Sequence, residues 1–414
     1  MKYLKYFEQA SAYEAYKNGS DYVTPNVSYV VETNSIAYNP FAEAKSGVIM
    51  ARYNATEENK LAIADTSNVK SLKVNGTEVE FSNMYYFSEV GEYDVEIELI
   101  DPTLINGADM NSDMPPKSMF WGILDNGPTG ACLTSIILPE GIITIGLHAF
   151  CECKSLTSVI IPNSATYIGD NAFNTCSNLN DIHIGSGVTN VGYYAFDCCT
   201  SLPVIDNLRY ADTYLVGAVD KTLSTYTIKE STKWIGDNAF AGCSGLTSIN
   251  IPDSVNSIGY YAFQNCSNLT SITIPYSVTS IGFRAFCNCT SLTGELVIPD
   301  SVTTIREQAF IDCSGLTSVV IGSGVTSIGE TAFGGCSKLT SVVIGSGVKT
   351  IDNNVFINCS SLNEITCNAI IAPEINSYTF KDVKVNGILK VPAGSDYSAW
   401  MNYLNKYNWT IEYI

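Results

Sequence analysis

The chain has 414 residues, of which 41 are acidic and 22 are basic, so its formal net charge is −19. Hydrophobic residues make up 46% of the sequence, which excludes a wholly disordered chain because a large core can form. The acidic balance argues against nucleic-acid partners and anionic membranes, since both require clusters of Lys and Arg. No apolar run reaches the length of a transmembrane helix, so membrane insertion is not expected.

The first segment, residues 1–45, is rich in Tyr and Ala and predicts a short helix from Tyr3 to Tyr16. It lacks the apolar stretch and cleavage site of a secretory signal peptide. This opening resembles the starts of various proteins from gut Bacteroidales and their phages, which implies an attachment segment. The alternative is an N-terminal cap or a poorly ordered tail. As an attachment segment, residues 1–45 also predict an oligomer formed through them.

Residues 46–101 predict a small, sandwich-like antiparallel β module. Asn75-Gly76 lies between two alternating runs, which is a strong signal of a β-hairpin. Residues 93–99 alternate between acidic and mostly apolar side chains, and we interpret the acidic face as a solvated strand face rather than a cation site. Residues 102–130 contain Gly and Pro and predict a linker with an N-terminal cap.

From about residue 131 to residue 380 the sequence repeats every 23 residues, which predicts a solenoid of stacked coils. In one clean unit, Leu246, Ile249 and Ile251 predict a short strand with one buried face. Pro252-Asp253-Ser254 predicts the turn that follows. No unit can bury its apolar face alone, so stability has to come from stacking on its neighbours.

An Ala-Phe step near the end of most units predicts an aromatic plug on the opposite side of each coil. Most successive Phe residues are 23 positions apart. The longer gap between Phe196 and Phe240 predicts two coils, of which the one from Leu202 to Lys229 is degenerate. The plug residues are Phe150, Phe173, Phe196, Phe240, Phe263, Phe286, Phe310, Phe333 and Phe356, with a degenerate step at Phe380.

The unit closely resembles the BspA-like leucine-rich repeats, whose hallmark is C-x-x-L-x-x-I-x-I-P-x-S-V-x-x-I-G-x-x-A-F. The resemblance covers residues 131–380 and implies a mostly β leucine-rich-repeat solenoid with short helical and turn segments, preceded here by the small β module. It also implies a surface-exposed, non-enzymatic binding or adhesion protein. Residues 381–414 resemble the closing cap of that family, where Ser395 or Asp396 starts a short helix containing Trp400 and Leu404.

The cysteines predict a ladder of buried structural thiols, because most of them recur three residues after the Phe. Their spacing is not that of a zinc site, and an inward ladder rarely has the Cβ directions of a disulfide. His148 and His183 have no partner by repeat logic, which predicts surface residues. No nucleotide, zinc-protease or nucleophile-elbow motif occurs, so no catalytic residue, cofactor or metal is expected. The ladder comprises Cys153, Cys176, Cys199, Cys243, Cys266, Cys289, Cys313, Cys336 and Cys359.

One candidate ligand-binding surface is a row of valines. Val297, Val320 and Val343 take the strand position between two core aliphatic residues on successive coils. Stacking predicts that they form an exposed apolar stripe suited to a flat protein or glycan surface. The alternative is that Val merely suits an exposed strand.

A second candidate surface is aromatic. The variable pair before Ala-Phe places Tyr260, Tyr261 and Phe283 on adjacent coils, and Tyr276 lies on the turn between them. Exposed aromatic groups of this kind are typical of interaction patches. Packing around the Phe core is the competing explanation.

Two classes of function follow. The leading hypothesis is a binding or adhesion scaffold, extracellular or on the cell surface, that presents the repeat face to a protein or glycan on a host or bacterial surface. The alternative is a structural or host-attachment protein of a phage virion, anchored through residues 1–45. An enzyme is a distant third.

Overall fold

The structure is a computed structural model that describes residues 48–57, 61–63, 66–83, 85–105, 120, 132–376 and 378–414. The predicted attachment segment, residues 1–45, lies outside the described residues, as does most of the predicted linker over 102–130.

Seven strands precede the solenoid in the part of the chain that the structure describes, and most of them pair antiparallel. The turn between the third and fourth strands has positive φ at Asn75 (49°) and Gly76 (79°), which confirms the predicted hairpin. The strands are β1 (Val48–Ala55), β2 (Leu61–Ile63), β3 (Val69–Val74), β4 (Thr77–Glu78), β5 (Tyr85–Tyr86), β6 (Gly91–Leu99) and β7 (Leu104–Ile105).

The acidic face of β6 is paired with cations from the strands beside it. All of these side chains are substantially exposed, so water screens each pair and its contribution to stability is small. The acidic face of β6 is therefore a solvated surface with exposed ion pairs, as predicted. They are Arg52–Asp94 at 2.8 Å, Lys73–Glu96 at 3.9 Å and Lys70–Glu98 at 2.7 Å.

The solenoid begins with six strands in three coils, each coil giving one longer and one two-residue strand. They are β8 (Leu133–Ile137), β9 (Thr144–Ile145), β10 (Ser158–Ile161), β11 (Tyr167–Ile168), β12 (Asp181–Ile184) and β13 (Asn190–Val191). The longer strands pair parallel with one another, and so do the short ones, as the 23-residue period requires. This confirms the predicted leucine-rich-repeat solenoid.

The small module closes the N-terminal end of the solenoid. Strand β1 pairs antiparallel with β8, with Met50 opposite Ile137, so one seven-stranded sheet runs in the order β12-β10-β8-β1-β6-β3-β4. Ile49 and Tyr53 are fully buried and share one core with Leu133 and Ile136 of the solenoid. The open edge of the first coil is therefore covered by a strand of the module.

The chain between Phe196 and Phe240 departs from the expected coil. Over part of Leu202 to Lys229 it forms a three-stranded antiparallel meander, β14 (Val204–Ile205), β15 (Leu208–Ala211) and β16 (Tyr214–Ala218). The stacked coils resume when β16 pairs parallel with the strand over residues 234–235. The meander is hereafter called the interruption.

The rest of the solenoid has long strands on one side and two-residue strands on the other. Long strands form a six-stranded sheet in the order β20-β22-β24-β26-β27-β28, and the short strands continue the sheet that begins with β14. The elements are β17 (Trp234–Ile235), β18 (Ser257–Ile258), β19 (Ser280–Ile281), β20 (Gly294–Ile298), β21 (Thr304–Ile305), β22 (Leu316–Ile321), β23 (Ser327–Ile328), β24 (Ser341–Ile344), β25 (Thr350–Ile351), β26 (Glu364–Cys367), β27 (Ile388–Val391), α1 (Ser398–Leu404), a 3-10 helix (Asn405–Tyr407) and β28 (Thr410–Tyr413).

The phenylalanine plugs stack into a column that the interruption divides. From Phe240 to Phe380 neighbouring rings lie 5.0–5.8 Å apart and nearly parallel. Before the interruption a second column begins with Phe120 and ends where the Tyr214 ring lies 5.2 Å from that of Phe196. The Tyr226 ring begins the later column, 5.3 Å from Phe240. The buried apolar residues form two clusters, one for each column.

The predicted thiol ladder is buried, and its members are free cysteines. Eight of its nine thiols donate a hydrogen bond to the carbonyl of the Phe in the preceding coil, as Cys289 does to Phe263 at 3.2 Å. Cys243 follows the interruption, where the Tyr226 hydroxyl lies 3.6 Å from its sulfur instead. From Phe150 onward each of these carbonyls also accepts a backbone N–H within its own coil, so the ladder adds a second hydrogen bond there and binds neighbouring coils together.

The C-terminal cap contains the predicted helix. Helix α1 begins at Ser398, slightly later than expected, and the carboxylate of Asp396 accepts the N–H of Ser398 at 2.9 Å. Trp400 and Leu404 are buried, and the Trp400 ring lies 5.2 Å from Phe380 at the end of the aromatic column. The helix thus covers the last open coil, as predicted.

Candidate functional site

The valine row lies on the six-stranded sheet in the expected register. Val297 pairs with Val320, and Val320 pairs with Val343, so the three side chains are neighbours on successive coils. Val297 is 44% exposed, whereas Val320 and Val343 are half-buried. The structure therefore assembles this stripe on the outer face and partly covers two of its members.

The aromatic candidates are brought together only in part. The Phe283 ring lies 5.3 Å from that of Tyr261 and 6.0 Å from that of Tyr260, and all three residues are half-buried. Tyr276 is 78% exposed and takes no part in these ring contacts. The predicted patch is thus a cluster of three rings with Tyr276 apart from it.

A partner that the sequence did not predict joins this cluster. The Tyr193 ring lies 4.0 Å from the Tyr260 ring, and their hydroxyl groups are hydrogen-bonded. The two residues are 67 positions apart, on opposite sides of the interruption. The contact between Tyr193 and Tyr260 therefore bridges the interruption on the side of the short strands.

Beside this pair of tyrosines lies a cleft with a volume of about 550 Å³. It runs across the short strands β11, β13 and β16 to β19, on both sides of the interruption. The lining is aromatic and polar, and its main side chains are Tyr167, Asp170, Asn190, Tyr193, Tyr214, Trp234, Asp237, Asn256, Ser257, Tyr260, Ser280 and Arg306.

Two carboxylates hold the backbone around the cleft. Asp170 accepts the N–H of Tyr193 at 2.8 Å, and Asp237 accepts the N–H of Tyr260 at 2.6 Å. The second oxygen of Asp237 accepts the N–H of Tyr194 at 2.7 Å, across the interruption. Burial raises the pKa of Asp237 to about 6, although the two N–H donors and their hydrogen bonds act in the opposite direction.

The residue after each of these two tyrosines has a left-handed backbone. Tyr194 and Tyr261 have φ of 54° and 57°, in the region that side chains other than Gly, Asn and Asp rarely adopt. Positive φ recurs at this position in every coil with a Phe plug, from His148 to Asn354, so it belongs to the repeat and not to the cleft.

The floor of the cleft could have been found in the sequence from an exception to the repeat. From β18 onward, the outward position of each short strand carries Ser or Thr. In β16 and β17 the same position carries the aromatic residues Tyr214 and Trp234, which are buried and only 6% and 3% exposed. A Cβ on Gly236 would lie 2.5 Å from the Tyr214 ring, so only glycine fits beneath it. The register row reads Tyr214, Trp234, Ser257, Ser280, Thr304, Ser327 and Thr350.

The interruption also gives His183 a partner, which corrects the expectation that neither histidine has one. The Nδ1 atom of His183 lies 3.3 Å from a carboxylate oxygen of Asp212, which also accepts the N–H of Ile184 at 2.8 Å. Asp212 lies in the turn between β15 and β16, outside the repeat, and for this reason repeat logic could not place it. His183 and His148 are half-buried rather than fully exposed.

Within the described ranges, no three His, Cys, Asp or Glu side chains come close enough together to hold a metal ion. The same residues include no helix of the length and apolarity that crossing a membrane requires.

Comparison with protein families matches residues 129–212, 219–295 and 294–396 to the BspA type leucine-rich repeat region, in six copies. The chain belongs to this family. The BspA-type match breaks between 212 and 219, inside the meander, where the structure also departs from the coil. Families of such repeats are scaffolds, and the match indicates no catalytic family. Curated proteins gave no match.

Several solved structures are similar to this BspA-type chain, among them leucine-rich repeat proteins of bacteria. A leucine-rich repeat protein from Eubacterium ventriosum is 24% identical, with 60% of this chain and 82% of that chain covered and a TM-score of 0.39. A leucine-rich cell surface protein from Faecalibacterium prausnitzii is 25% identical, with 73% and 89% covered and a TM-score of 0.26. The pneumococcal vaccine antigen PcpA is 16% identical, with 86% and 99% covered and a TM-score of 0.30.

Proposed function

We propose that this BspA-type protein is a non-enzymatic binding or adhesion scaffold, displayed extracellularly or on a bacterial surface. Its ligand is a protein or glycan that docks on the outer face of the six-stranded sheet. The repeat supplies rigidity, and the outward side chains supply recognition.

The observation that carries this proposal is the difference between the two faces of the sheet. The inward row is aliphatic in every strand: Leu296, Val319, Val342, Ile365, Leu389 and Ile411. The outward row beside it changes from apolar to charged: Val297, Val320, Val343, Thr366, Lys390 and Glu412. Stacking needs only the inward row, so the composition of the outward row is free to serve binding.

A substitution in the valine stripe tests the proposal. Full-length protein is applied to an array of host extracellular proteins and glycans, and a bound ligand is then titrated against Val320→Lys. We expect at least a tenfold loss of affinity, because a charge would be desolvated at the centre of the contact. Thr350→Lys, on the short-strand side, is the control and should bind as the wild type does. Equal binding by both variants would overturn the proposed face.

The alternative role in a phage particle, and an oligomer formed through residues 1–45, stay predictions. Both depend on a segment outside the described residues. Deleting residues 1–45 and measuring the oligomeric state by light scattering tests the attachment role. A truncated chain that behaves as the full one would contradict it.

A further inference from the structure

We propose that the cleft at the interruption binds a short, neutral oligosaccharide. This site goes beyond the proposed docking face, because it lies on the short-strand side and is built by different residues. It shares with the proposed function only the premise that the chain is a binding protein.

The cleft exists because the stacking of the short strands is broken. The four-stranded sheet ends at β13, and the nine-stranded sheet begins with the meander, so no short strand pairs with β13 on the side of the interruption. The described side chains of both sheets line one space of about 550 Å³. That volume lies within the range of small-molecule sites, and it is too small for a folded protein partner.

The aromatic walls of the cleft are held in place before any ligand arrives. Carboxylates bind the backbone N–H groups of Tyr193 and Tyr260, and the two rings contact each other through their faces and hydroxyl groups. The carboxylate of Asp237 also accepts the N–H of Tyr194 from the other side of the interruption. A preorganised aromatic surface loses little side-chain entropy when a ligand stacks on it.

The chemistry of the lining favours a sugar over other small ligands. Aromatic faces carry partial negative charge and attract the polarised C–H groups of a pyranose ring. Asn190, Asn256, Ser257 and Ser280 offer amides and hydroxyl groups that can donate and accept hydrogen bonds with sugar hydroxyl groups. These are the two kinds of contact that a saccharide makes.

The charges argue that this saccharide is neutral. Among the described residues that line the cleft, Arg306 is the one cation, and it lies at the far end from Tyr167 along the coils. Asp170 and Asp237 accept backbone N–H groups and add negative charge. The net charge of −19 also disfavours sialylated or uronic acid sugars and phosphorylated ligands.

A substitution that fills the cleft tests the inference without removing a fold contact. Ser280 is exposed at the outward register position where the chain already carries Trp234 two coils earlier. Ser280→Trp therefore places an indole inside the cleft. The matched control is Ser327→Trp, at the same register position two coils further on and outside the lining.

The probes are an array of neutral oligosaccharides of two to six units, with sialylated and uronic acid sugars as comparison, applied to the full chain. We expect a neutral sugar to bind, Ser280→Trp to weaken it at least tenfold by calorimetry, and Ser327→Trp to bind as the wild type does. Tyr193→Ala should weaken binding similarly, whereas Tyr193→Phe keeps the ring and should retain most of it.

Three results would overturn the inference: no neutral oligosaccharide bound at millimolar concentration, binding of acidic sugars only, or equal binding by the two Trp variants. A protein ligand lost in Ser280→Trp, with no sugar bound, would also overturn it. Because Val320→Lys affects the other face, failure of the saccharide site leaves the docking face standing, and the reverse also holds.

Discussion

The carboxylate of Asp237 accepts the backbone N–H of Tyr194 at 2.7 Å, although the two residues are 43 positions apart. This bond joins the last coil before the interruption to the first coil after it. The other oxygen of Asp237 holds the N–H of Tyr260. One side chain therefore connects both halves of the solenoid at the place where the coils no longer stack directly.

Asp237 should make stability depend on pH. Burial raises its pKa to about 6, so the folded chain holds this proton more tightly than the unfolded chain, where a carboxyl titrates near pH 4. Its contribution to the unfolding free energy is complete below about pH 4 and is lost as the pH rises through about 6. Relative to Asp237→Asn, which does not titrate, the wild type should lose up to about 3 kcal/mol between pH 4 and pH 7.

Urea unfolding of both proteins at several pH values measures this difference. Since all other groups are common to the two proteins, their titrations cancel. A difference that stays constant would show that the two N–H donors offset burial, and one that grows with pH in favour of the wild type would show that they outweigh it.

The thiol ladder should stabilise the fold without any redox chemistry. Cys313 is fully buried and donates to the carbonyl of Phe286 at 3.1 Å. Cys313→Ala leaves a small cavity and removes the thiol hydrogen bond, although the Phe286 carbonyl still accepts the N–H of Cys289, and we expect a loss of about 1–2 kcal/mol in the free energy of unfolding. Cys198 is the exposed cysteine of the chain, so Cys198→Ala should change stability by less than about 0.5 kcal/mol. Equal effects of the two substitutions in chemical denaturation would contradict the role given to the ladder.

The residue before each ladder cysteine has positive φ, so its side chain should affect stability through the backbone. Asn265 and Gly242 suit this conformation, whereas Thr175, with φ of 62°, is β-branched and strained. Thr175→Gly should therefore raise the melting temperature and stabilise the chain by up to about 1 kcal/mol. Thr247→Gly, at a position without positive φ, is the control and should destabilise it. A melting temperature lowered by both substitutions would show that the Thr175 side chain matters more than its strain.

The coil could be derived from the sequence because each of its contacts recurs. A period of 23 residues places Leu246, Ile258 and Phe263 of one coil against the same residue types of the next, and burial of apolar area then leaves one way to stack them. The helix around Trp400 is implied by the resemblance of residues 381–414 to the closing cap of the BspA-like family, and its indole covers the end of the aromatic column. The valine stripe also follows from register, although the extent of its exposure does not.

The cleft could be assembled only by the tertiary structure. Asp237 and Tyr260 are one 23-residue period apart, but Tyr193 and Tyr194 reach them across residues that obey no repeat, so periodicity does not relate the two sides of the cleft. Likewise, β1 pairs with β8 because the first coil leaves that edge open, and the edge exists only in the folded solenoid. The sequence by itself determines the repeating coil, since local pattern and nearest-neighbour stacking suffice. The site at the interruption is decided by contacts over 43 and 67 residues, which exist only once the meander has folded between them.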